Sequence, residues 1–588
     1  MKKALFLILC LLFPLLTVAQ INKTLYVPTA GTLGTLLTEN EKATINNLTL
    51  TGVIDDRDFK TMRDQMDALT VLDISGSTIV AYTGTEGTYS SETKNYPGNE
   101  IPAWAFHYSN NTGKASLTNV LLPATITAIG KSAFDGCTGM HIGGLPSSLT
   151  VIRSAAFYNC RSMTTLALPA SVTTIEEQAF AACGFLINVN ANNPNYSSIN
   201  GVLFNKNQSE LLYYPGSIAG SYSVPSTVKT IGNLAFYWCN KLTSVTIPSS
   251  TTYIGYSAFE GCDVLASAAL PSSLDSIGAT AFYYCMNLIN INIPASVKTI
   301  GYEALLGCPG PITVDAGNPN YSSADGLLYN KTKSKLIQCP ISKTGTVAIA
   351  SSVTNIEFYA FIGCACEVLV DGNHLNYSSG EGILFNKAKS RLLYFPTSKV
   401  GSFTVPASVT YLGSWSFYDC QQLTSVIIPS TVINLGYGVF KRCFGLTSVY
   451  SGASTPINVS FANNYYNNIF SGVNKETCTL YVPTGSKTLY QQADQWKDFA
   501  NIVEISTGIT LLSVEEVCLW PNPANNYFSV KGIDGLATLT IFDVNGKLLL
   551  EKRVSIDDNI SISSLPKGLY LIRIASKSGT IERKLLKK

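Results

Sequence analysis

The sequence predicts a mainly β protein, in which stacked coils form a solenoid with short helical caps and a small immunoglobulin-like (Ig-like) β-sandwich follows at the C-terminus. Three observations predict this fold. A unit of constant length recurs through the middle of the chain, its apolar residues alternate over short segments, and a different composition begins near residue 513. The length of 588 residues exceeds what one core normally organises, which also favours an array of coils.

The repeat unit is clearest from Leu242 to Cys262, which reads LTSVTIPSSTTYIGYSAFEGC. Its alternating apolar start predicts a short strand, which the following Pro ends because Pro has no N–H to donate. The segment ending in Ile-Gly predicts a second short strand, and Ala-Phe-x-x-Cys fills the back of the coil. Since one coil cannot bury its own apolar side, neighbouring coils must stack. The Phe of this unit, replaced once by Leu, recurs at Phe134, Phe157, Phe180, Phe236, Phe259, Phe282, Leu305, Phe361, Phe417 and Phe440.

Three steps between these positions are much longer than the others, because each contains an inserted unit. The insertions begin at Asn193, Asn318 and Asn373, and two apolar runs around a polar turn in each insertion predict a β-hairpin. Aligning the three insertions at these Asn residues places His374 opposite the Pro of the other two. His374 is therefore predicted to be a loop residue.

Ten of the 15 cysteines occupy the same position of the repeat, shortly after the Phe. We expect a buried column of mostly free thiols there, in which Cys acts as a small apolar residue. Disulfides between coils are the alternative, whereas a metal site is unsupported because neither paired Cys-x-x-Cys motifs nor His residues accompany the column. Cys364 and Cys366 form a Cys-x-Cys whose spacing does not decide between these states. The column consists of Cys137, Cys160, Cys183, Cys239, Cys262, Cys285, Cys308, Cys364, Cys420 and Cys443.

Residues 20–105 and 451–512 are predicted to cap the array, since bare solenoid ends would expose core and unpaired strand edges. In the first cap, four apolar residues have helical spacing and a leucine-rich strand follows them. In the second cap, four apolar residues predict a short amphipathic helix. The two sets are Phe59, Met62, Met66 and Leu69, and Leu489, Ala493, Trp496 and Phe499.

Residues 1–19 have the basic start, apolar run and small-residue end of a secretory signal, with cleavage predicted between Ala19 and Gln20. The apolar run is shorter than the about 20 residues that span a bilayer, and no other stretch predicts a transmembrane segment. The formal charge of +2 falls to zero when the signal, which holds two Lys, is removed. A neutral mature chain gives no reason to expect a nucleic-acid partner.

The recurring unit resembles the BspA-like, or Treponema-type, leucine-rich repeat over residues 106–450. Residues 513–588 resemble the C-terminal sorting domain of type IX secretion. The second resemblance implies export across the outer membrane of a Gram-negative bacterium, removal of the domain by a sortase-like protease, and either attachment at the surface or release. The residues that carry the sorting-domain resemblance are Pro521, Asn522, Pro523, Asp543, Gly546, Gly568, Tyr570, Arg583 and Lys584.

No catalytic constellation is recognisable, because His107, His141 and His374 are isolated and no nucleophile or metal motif is present. The sequence therefore predicts no enzyme, no cofactor and no metal. A solenoid offers long surfaces for binding, so we expect a secreted or cell-surface protein that mediates adhesion to host matrix or to other cells through an extracellular protein ligand. The alternative is a glycan-binding protein that assists polysaccharide capture. The candidate contact stripe, whose rings could instead pack between coils, is Tyr158, Tyr237, Trp238, Tyr283, Tyr284 and Tyr418.

Overall fold

The structure is a computed structural model that describes residues 20–89, 93–108, 112–460, 468–505, 518–531, 536–543, 547–555, 558–576 and 579–588. Ala19 and Gly546 lie outside these residues, so cleavage after Ala19 stays a prediction. The chain divides into two structural units, residues 1–332 and 333–588, and each is described by itself.

The solenoid of the first unit begins earlier than the sequence indicates. Strands Asn22–Val27, Asn47–Ile54 and Val71–Ile79 already pair in parallel, and helices Leu33–Leu36, Glu39–Thr44 and Asp56–Asp64 connect them. Strands Tyr82–Gly84 and Lys94–Tyr96 then pair antiparallel. The four apolar residues predicted to follow a helical spacing are all buried, although the last helix ends at Asp64, before Met66 and Leu69.

Two ladders of mostly parallel strands run through the coils of the first unit. The long ladder holds the strands that begin each repeat, and the short ladder holds the two-residue strands that precede the Ala-Phe segment. After its first three strands, the long ladder continues with Asn119–Leu121, His141–Ile142, Thr165–Leu168, Leu186–Val189, Gly220–Ser223, Leu242–Thr246, Ser267–Ala269, Ile291–Ile293 and Ile312–Val314. The short ladder comprises Glu100–Ile101, Ala128–Ile129, Val151–Ile152, Thr174–Ile175, Thr230–Ile231, Tyr253–Ile254, Ser276–Ile277 and Thr299–Ile300.

The second unit has the same two ladders. Its long ladder comprises Thr346–Ile349, Glu367–Val370, Gly401–Thr404, Leu423–Ile428, Ser448–Ser451, Thr479–Pro483 and Asn501–Ile505. Its short ladder comprises Asn355–Ile356, Tyr411–Leu412 and Asn434–Leu435. Helix Lys487–Tyr490 lies between the last two long-ladder strands.

In the first and third insertions the predicted hairpin is formed by the second and third strands of the insertion, which pair antiparallel. In all three insertions a further strand precedes the hairpin and pairs antiparallel with the second strand, and the third strand joins the next short-ladder strand in parallel. The first insertion contains Tyr196–Ile199, Val202–Asn205 and Glu210–Tyr213. The second contributes Tyr321–Ala324 and Leu327–Asn330 to the first unit and Lys335–Gln338 to the second unit. The third contains Tyr377–Gly380, Ile383–Asn386 and Arg391–Tyr394.

Each insertion interrupts the short ladder, and a tyrosine of the insertion provides a hydrogen-bond acceptor for the strand edge that is left unpaired. The hydroxyl of Tyr196 accepts a hydrogen bond from the backbone N–H of Ile175 at 2.9 Å. An unpaired strand edge is a site of unwanted pairing, and this contact closes it. The same contact, also at 2.9 Å, joins Tyr321 to Ile300 and Tyr377 to Ile356.

The core of each coil is the repeat Phe, which stacks on its neighbour one coil later. Phe236 and Phe259 have ring centroids 4.7 Å apart, and Phe259 and Phe282 have centroids 5.0 Å apart. The predicted burial of the thiol column is confirmed. Most column thiols donate to the carbonyl oxygen of the Phe in the preceding coil, as Cys262 does to Phe236 at 3.0 Å.

The predicted loop position of His374 is confirmed, but its alignment with the Pro of the other insertions is wrong. His374 is buried, with 3% of its surface exposed, and it stands in the place of Asn193 rather than of the neighbouring Pro. Its Nδ1 accepts from the backbone N–H of Tyr377, as the Asn193 carboxamide accepts from Tyr196. The alignment by Asn373 is offset by a single position, because Asn373 corresponds to Asn192 and not to Asn193: the connection from Val189 to Tyr196 has the same length as that from Val370 to Tyr377.

The helix of the C-terminal cap is also shorter than predicted. It covers only Lys487–Tyr490, and the chain continues in turns through Trp496 and Phe499. Trp496 and Phe499 are nevertheless buried, and the Trp496 Nε1–H donates to the carbonyl oxygen of Ile457 at 3.0 Å. Leu489 is 46% exposed, so it does not belong to the buried face.

The C-terminal segment forms two antiparallel sheets with a shared apolar core. The first sheet contains Cys518–Trp520, Tyr527–Lys531 and Asn559–Ser561. The second contains Ala537–Phe542, Leu548–Val554, Gly568–Ser576 and Gly579–Lys587. The Ig-like character of this segment stays a prediction.

Candidate functional site

Every coil turns a corner with a left-handed residue two positions after the repeat Phe. A positive φ is strained for residues other than Gly, yet both Gly and non-Gly residues adopt it at this position. The repeat fold, and not the residue type, therefore sets the backbone conformation of this corner. The ten residues at this position, with φ between 57° and 85°, are Gly136, Asn159, Ala182, Trp238, Gly261, Tyr284, Gly307, Gly363, Asp419 and Arg442.

Large aromatic rings at such corners lie against a glycine of the next coil. Trp238 is 46% exposed, and a Cβ at Gly261 would lie 3.1 Å from its indole. Trp415, at a second left-handed corner shortly before the Phe, lies similarly close to Gly438. The missing Cβ lets the ring lie flat, so these aromatic groups are supported in place. Tyr284 has the same relation to Gly307.

The other tyrosines of the candidate stripe lie one position nearer the Phe, and they are less exposed. Tyr158 and Tyr237 are half-buried, with their hydroxyl oxygens 3.3 Å apart. Tyr283 is half-buried and packs edge-on against Tyr284, with centroids 4.5 Å apart. Tyr418, in the second unit, is only 8% exposed. The six residues thus occupy two positions of the repeat, and Trp238 is the most exposed of them, whereas the five tyrosines are half-buried or buried.

Beside the first and third insertions lie two equivalent clefts, one in each unit. The first cleft has a volume of about 280 Å³ and lies between the coil of Ile175 and that of Gly232. The second cleft has a volume of about 410 Å³ and lies between the coil of Ile356 and that of Gly413. In both, the third strand of the insertion forms one wall, so the same backbone scaffold builds both clefts.

The first cleft is lined by carboxylates. Glu176 accepts a hydrogen bond from the backbone N–H of Ser154 at 2.9 Å, and Glu177 accepts one from the Nδ2 of Asn233 at 2.6 Å. Burial raises the pKa of Glu210 on the opposite wall above its ordinary value. No Lys or Arg is among the described residues that line this cleft, but Glu176 already pairs with Arg153, whose Nη1 lies 3.5 Å from the Glu176 Oε1. The carboxyl oxygens of the cleft therefore favour a hydrogen-bond-donating group.

The second cleft replaces these positions with aromatic and basic side chains. Phe358, at the position of Glu177, is 52% exposed, and Trp415 stands where the first cleft has a leucine. The guanidinium of Arg391, at the position of Glu210, lies 4.5 Å from the ring centroid of Tyr411. An ion pair between Lys335 and Glu357 borders the cleft. This lining suits an apolar or aromatic group that carries an anionic or hydrogen-bond-accepting end.

Sequence reasoning found neither cleft, because each lining combines separate segments of the chain that only the folded coils and the insertion bring together. One signal was available, namely an aromatic residue followed by Gly one repeat length later. Trp238 with Gly261 and Trp415 with Gly438 both have this spacing.

The histidines do not converge on a reactive group. The Nδ1 of His107 lies 3.6 Å from a carboxylate oxygen of Asp135, and both side chains are largely buried. His141 is an exposed residue of the long ladder. His374 belongs to the insertion as described above.

The sorting-domain residues hold the last strand in place. The carboxamide of Asn522, between Pro521 and Pro523, donates to the carbonyl oxygen of Lys584 at 2.7 Å and accepts from the N–H of Leu586 at 3.0 Å. Lys584 and its neighbour Arg583 lie in strand Gly579–Lys587.

Two other motif residues make local hydrogen bonds to the backbone. Asp543 accepts from the N–H of Lys547 at 2.9 Å, and the Tyr570 hydroxyl donates to the carbonyl oxygen of Pro566 at 2.6 Å. Gly568 begins the strand that carries Tyr570.

Stacked coils with two ladders define a leucine-rich-repeat solenoid, and comparison with family models agrees. The BspA type leucine rich repeat region matches in six copies over residues 99–222, 213–332 and 391–506, which is more than half of the chain. The chain therefore belongs to this family. The secretion system C-terminal sorting domain matches residues 518–588.

Solved structures with a similar fold are bacterial. The pneumococcal vaccine antigen PcpA is 17% identical, with 79% of this chain and 80% of that chain covered and a TM-score of 0.36. A leucine-rich repeat protein from Eubacterium ventriosum is 20% identical, with 71% and 92% covered and a TM-score of 0.35. One from Bacteroides ovatus is 20% identical, with 62% and 84% covered and a TM-score of 0.27. Comparison with curated proteins finds no match.

The sorting domain indicates a secreted or cell-surface protein of a Bacteroidetes-type Gram-negative bacterium, handled by the type IX secretion system. Among the described residues, no helix has the length and hydropathy to cross a bilayer. Leucine-rich repeats of this family are typically non-enzymatic. The chain is thus a secreted or cell-surface leucine-rich-repeat protein.

Proposed function

We propose that this protein attaches the cell to a host matrix protein or to another cell, and that it acts by binding rather than by catalysis. The observation that carries the proposal is the pair of equivalent clefts with different linings. The same scaffold presents carboxylates in one unit and aromatic and basic groups in the other. A protein partner offers both kinds of complementary side chain, whereas a single small ligand needs only one lining.

The second cleft has the composition of a binding hot spot. Trp, Tyr and Arg dominate the energetics of protein interfaces, and Phe358, Tyr411, Trp415 and Arg391 all line this cleft. Its volume of about 410 Å³ accommodates one large side chain of a partner with room to spare. Trp415 is held by its contact with Gly438, so little side-chain entropy is lost when a partner binds.

The test is binding of the full exported chain to immobilised matrix proteins and to whole cells. Trp415→Ala and Phe358→Ala should each weaken binding by about 10-fold or more, since truncation of a hot-spot residue costs about 2 kcal/mol. Ile433→Ala is the matched control, because Ile433 is a 65% exposed apolar residue of the same unit outside the cleft. Equal affinities for all three variants and the unchanged chain would contradict the proposed role of the cleft.

Glycan binding is the second candidate function, and Trp238 favours it. An exposed indole fixed over a glycine is a flat platform of the kind on which a sugar ring stacks. In a glycan array, Trp238→Ala should abolish any signal that this platform produces. Tyr253→Ala, at a 38% exposed tyrosine of the same unit, should leave the signal intact. A glycan signal that requires Trp238, together with no binding to proteins or cells, would replace the adhesion proposal.

A further inference from the structure

Three cysteines of the second unit meet at the end of the second insertion. The Sγ of Cys339 lies 3.9 Å from the Sγ of Cys366, and both side chains are fully buried. Cys364, a member of the thiol column, is their neighbour. Cys339 and Cys366 stand outside the column.

The column thiol of this group already has its ordinary partner. Cys364 donates to the carbonyl oxygen of Cys339 at 3.5 Å. Column thiols after the other insertions do the same, as Cys239 does to Tyr214 at 3.5 Å. Sulfurs of adjacent column thiols such as Cys285 and Cys308 also lie near each other, but both donate to a carbonyl of the preceding coil.

Cys339 occupies a position that is aromatic in the other two insertions. Tyr214 of the first insertion stacks on Phe236 at 4.8 Å, and Phe395 of the third stacks on Phe417 at 4.7 Å. These stacks fasten each insertion to the following coil. The second insertion has Cys339 there instead, so it lacks this ring contact with the next coil.

The position of Cys366, two residues after the column Cys, holds different residues before the three insertions, and Gly310 stands there before the second. Before the first insertion the corresponding residue is Phe185, whose carbonyl oxygen accepts from the Tyr213 hydroxyl at 2.9 Å. The carbonyl oxygen of Cys366 accepts from the Tyr394 hydroxyl at 2.8 Å in the same way. Both cysteines thus stand where the first insertion has an aromatic residue, Tyr214 and Phe185, and their sulfurs lie 3.9 Å apart.

We propose that Cys339 and Cys366 form a disulfide as the chain folds after export, and that this bond takes over the role of the missing aromatic stack. The loop between them spans 27 positions, so the bond restricts the unfolded chain and stabilises the second unit. The periplasm is an oxidising compartment in which such bonds form and persist. This inference does not depend on the proposed function.

The chemistry is thiol–disulfide exchange with a disulfide-bearing oxidoreductase of the periplasm. The thiolate of Cys366 attacks one sulfur of the donor disulfide, which gives a mixed disulfide and one donor thiolate. Cys339, after losing its proton, attacks the Cys366 sulfur and releases the second donor thiolate. The two cysteines lose two protons and two electrons, and the donor gains the electrons as a dithiol. Since Cys339 and Cys366 are buried in the folded chain, exchange precedes closure of this coil.

The test is peptide mapping of the full chain taken from the bacterial surface. The chain is unfolded in N-ethylmaleimide without reductant and digested with trypsin. We expect the peptide 336–343, which contains Cys339, to be linked to the peptide 344–387 through Cys366, with maleimide on Cys364 and on the rest of the column. Recovery of Cys339 and Cys366 both alkylated would overturn the proposal, and so would a link through Cys364.

Thermal unfolding gives an independent measurement. Reductant should lower the Tm of the unchanged chain by several degrees and leave the Tm of Cys366→Ser unaffected. Cys262→Ser, which removes a column thiol, should keep the response to reductant. An equal response of the unchanged chain and Cys366→Ser would also overturn the proposal. Should a variant fail to fold, the peptide map of the unchanged chain still decides.

Discussion

The imidazole of His374 accepts a backbone hydrogen bond as the carboxamide of Asn193 does in the first insertion, but it does not reproduce the hydrogen bonds that this carboxamide donates. Its Nδ1 accepts from the backbone N–H of Tyr377 at 3.2 Å, as Asn193 accepts from the next tyrosine at 2.8 Å. The Nδ2 of Asn193 also donates to two carbonyl groups of the preceding coil. The buried Nε2 of His374 has no hydrogen-bond partner within the part of the chain that the structure describes.

Restoring the carboxamide should therefore stabilise the second unit. We expect His374→Asn to raise the free energy of unfolding by about 1 kcal/mol or more, because it satisfies buried polar groups. Urea unfolding followed by circular dichroism measures the change. The exposed His141 provides the control, since His141→Asn should change the midpoint little. A lower midpoint for His374→Asn would contradict this prediction. It would show that the packing of the imidazole stabilises the fold more than the added hydrogen bonds of the carboxamide do.

Removal of the Tyr196 hydroxyl should open the edge of the short ladder. Tyr196→Phe leaves the N–H of Ile175 without its acceptor and should lower the free energy of unfolding by about 1 kcal/mol. Hydrogen exchange at Ile175 should accelerate. Tyr253→Phe, at an exposed tyrosine, is the matched control. Unchanged protection of the Ile175 amide would mean that the hydroxyl does not close this edge.

A methyl group at Gly438 should displace the Trp415 ring. Gly438 has a φ of 54°, and an added Cβ would lie 2.6 Å from the indole. Gly401 has a φ of 85° with open space at the Cβ position, so Gly401→Ala carries the backbone strain alone. Each Ala should cost about 1 kcal/mol in stability. Only Gly438→Ala should also change Trp415 fluorescence and weaken binding as Trp415→Ala does. Equal binding by Gly438→Ala and Gly401→Ala would contradict the role of Gly438 in supporting the Trp415 ring.

The thiol column should make the fold sensitive to alkali. Burial raises the pKa of Cys183 and Cys262 from 9.0 to about 12. Between these values the folded chain keeps protons that the unfolded chain loses, so stability falls as pH rises through this window. The stabilising contribution is fully present below pH 9. Tm measured from pH 7.5 to 10.5 should decline above about pH 9, and a flat profile would argue against buried thiols.

Much of the fold could be predicted because the repeat is periodic. The strand before Pro248, the Phe236 core position and the hairpin after Asn193 all follow from local patterns. The early start of the solenoid was missed, although Thr24 to Thr29 reads TLYVPT and the same letters recur from Thr479. Both copies are long-ladder strands.

The clefts and the stripe could not be predicted in the same way. Trp415 has a positive φ, and this left-handed backbone conformation decides whether Trp415 or Tyr418 points outward. The residue types alone do not indicate it. The lining of the second cleft combines Phe358, Arg391 and Trp415, which only the insertion brings together. The role of His374 depends on an offset of a single position that the letters alone do not reveal.

The left-handed corner that follows each repeat Phe separates the outer surface from the core of the coil. This position holds Asn159, Trp238, Asp419 and Arg442 in different coils without any change to the Phe and Cys beneath it. The polar, charged or aromatic character of the outer surface can therefore differ from one coil to the next while the buried stack stays the same.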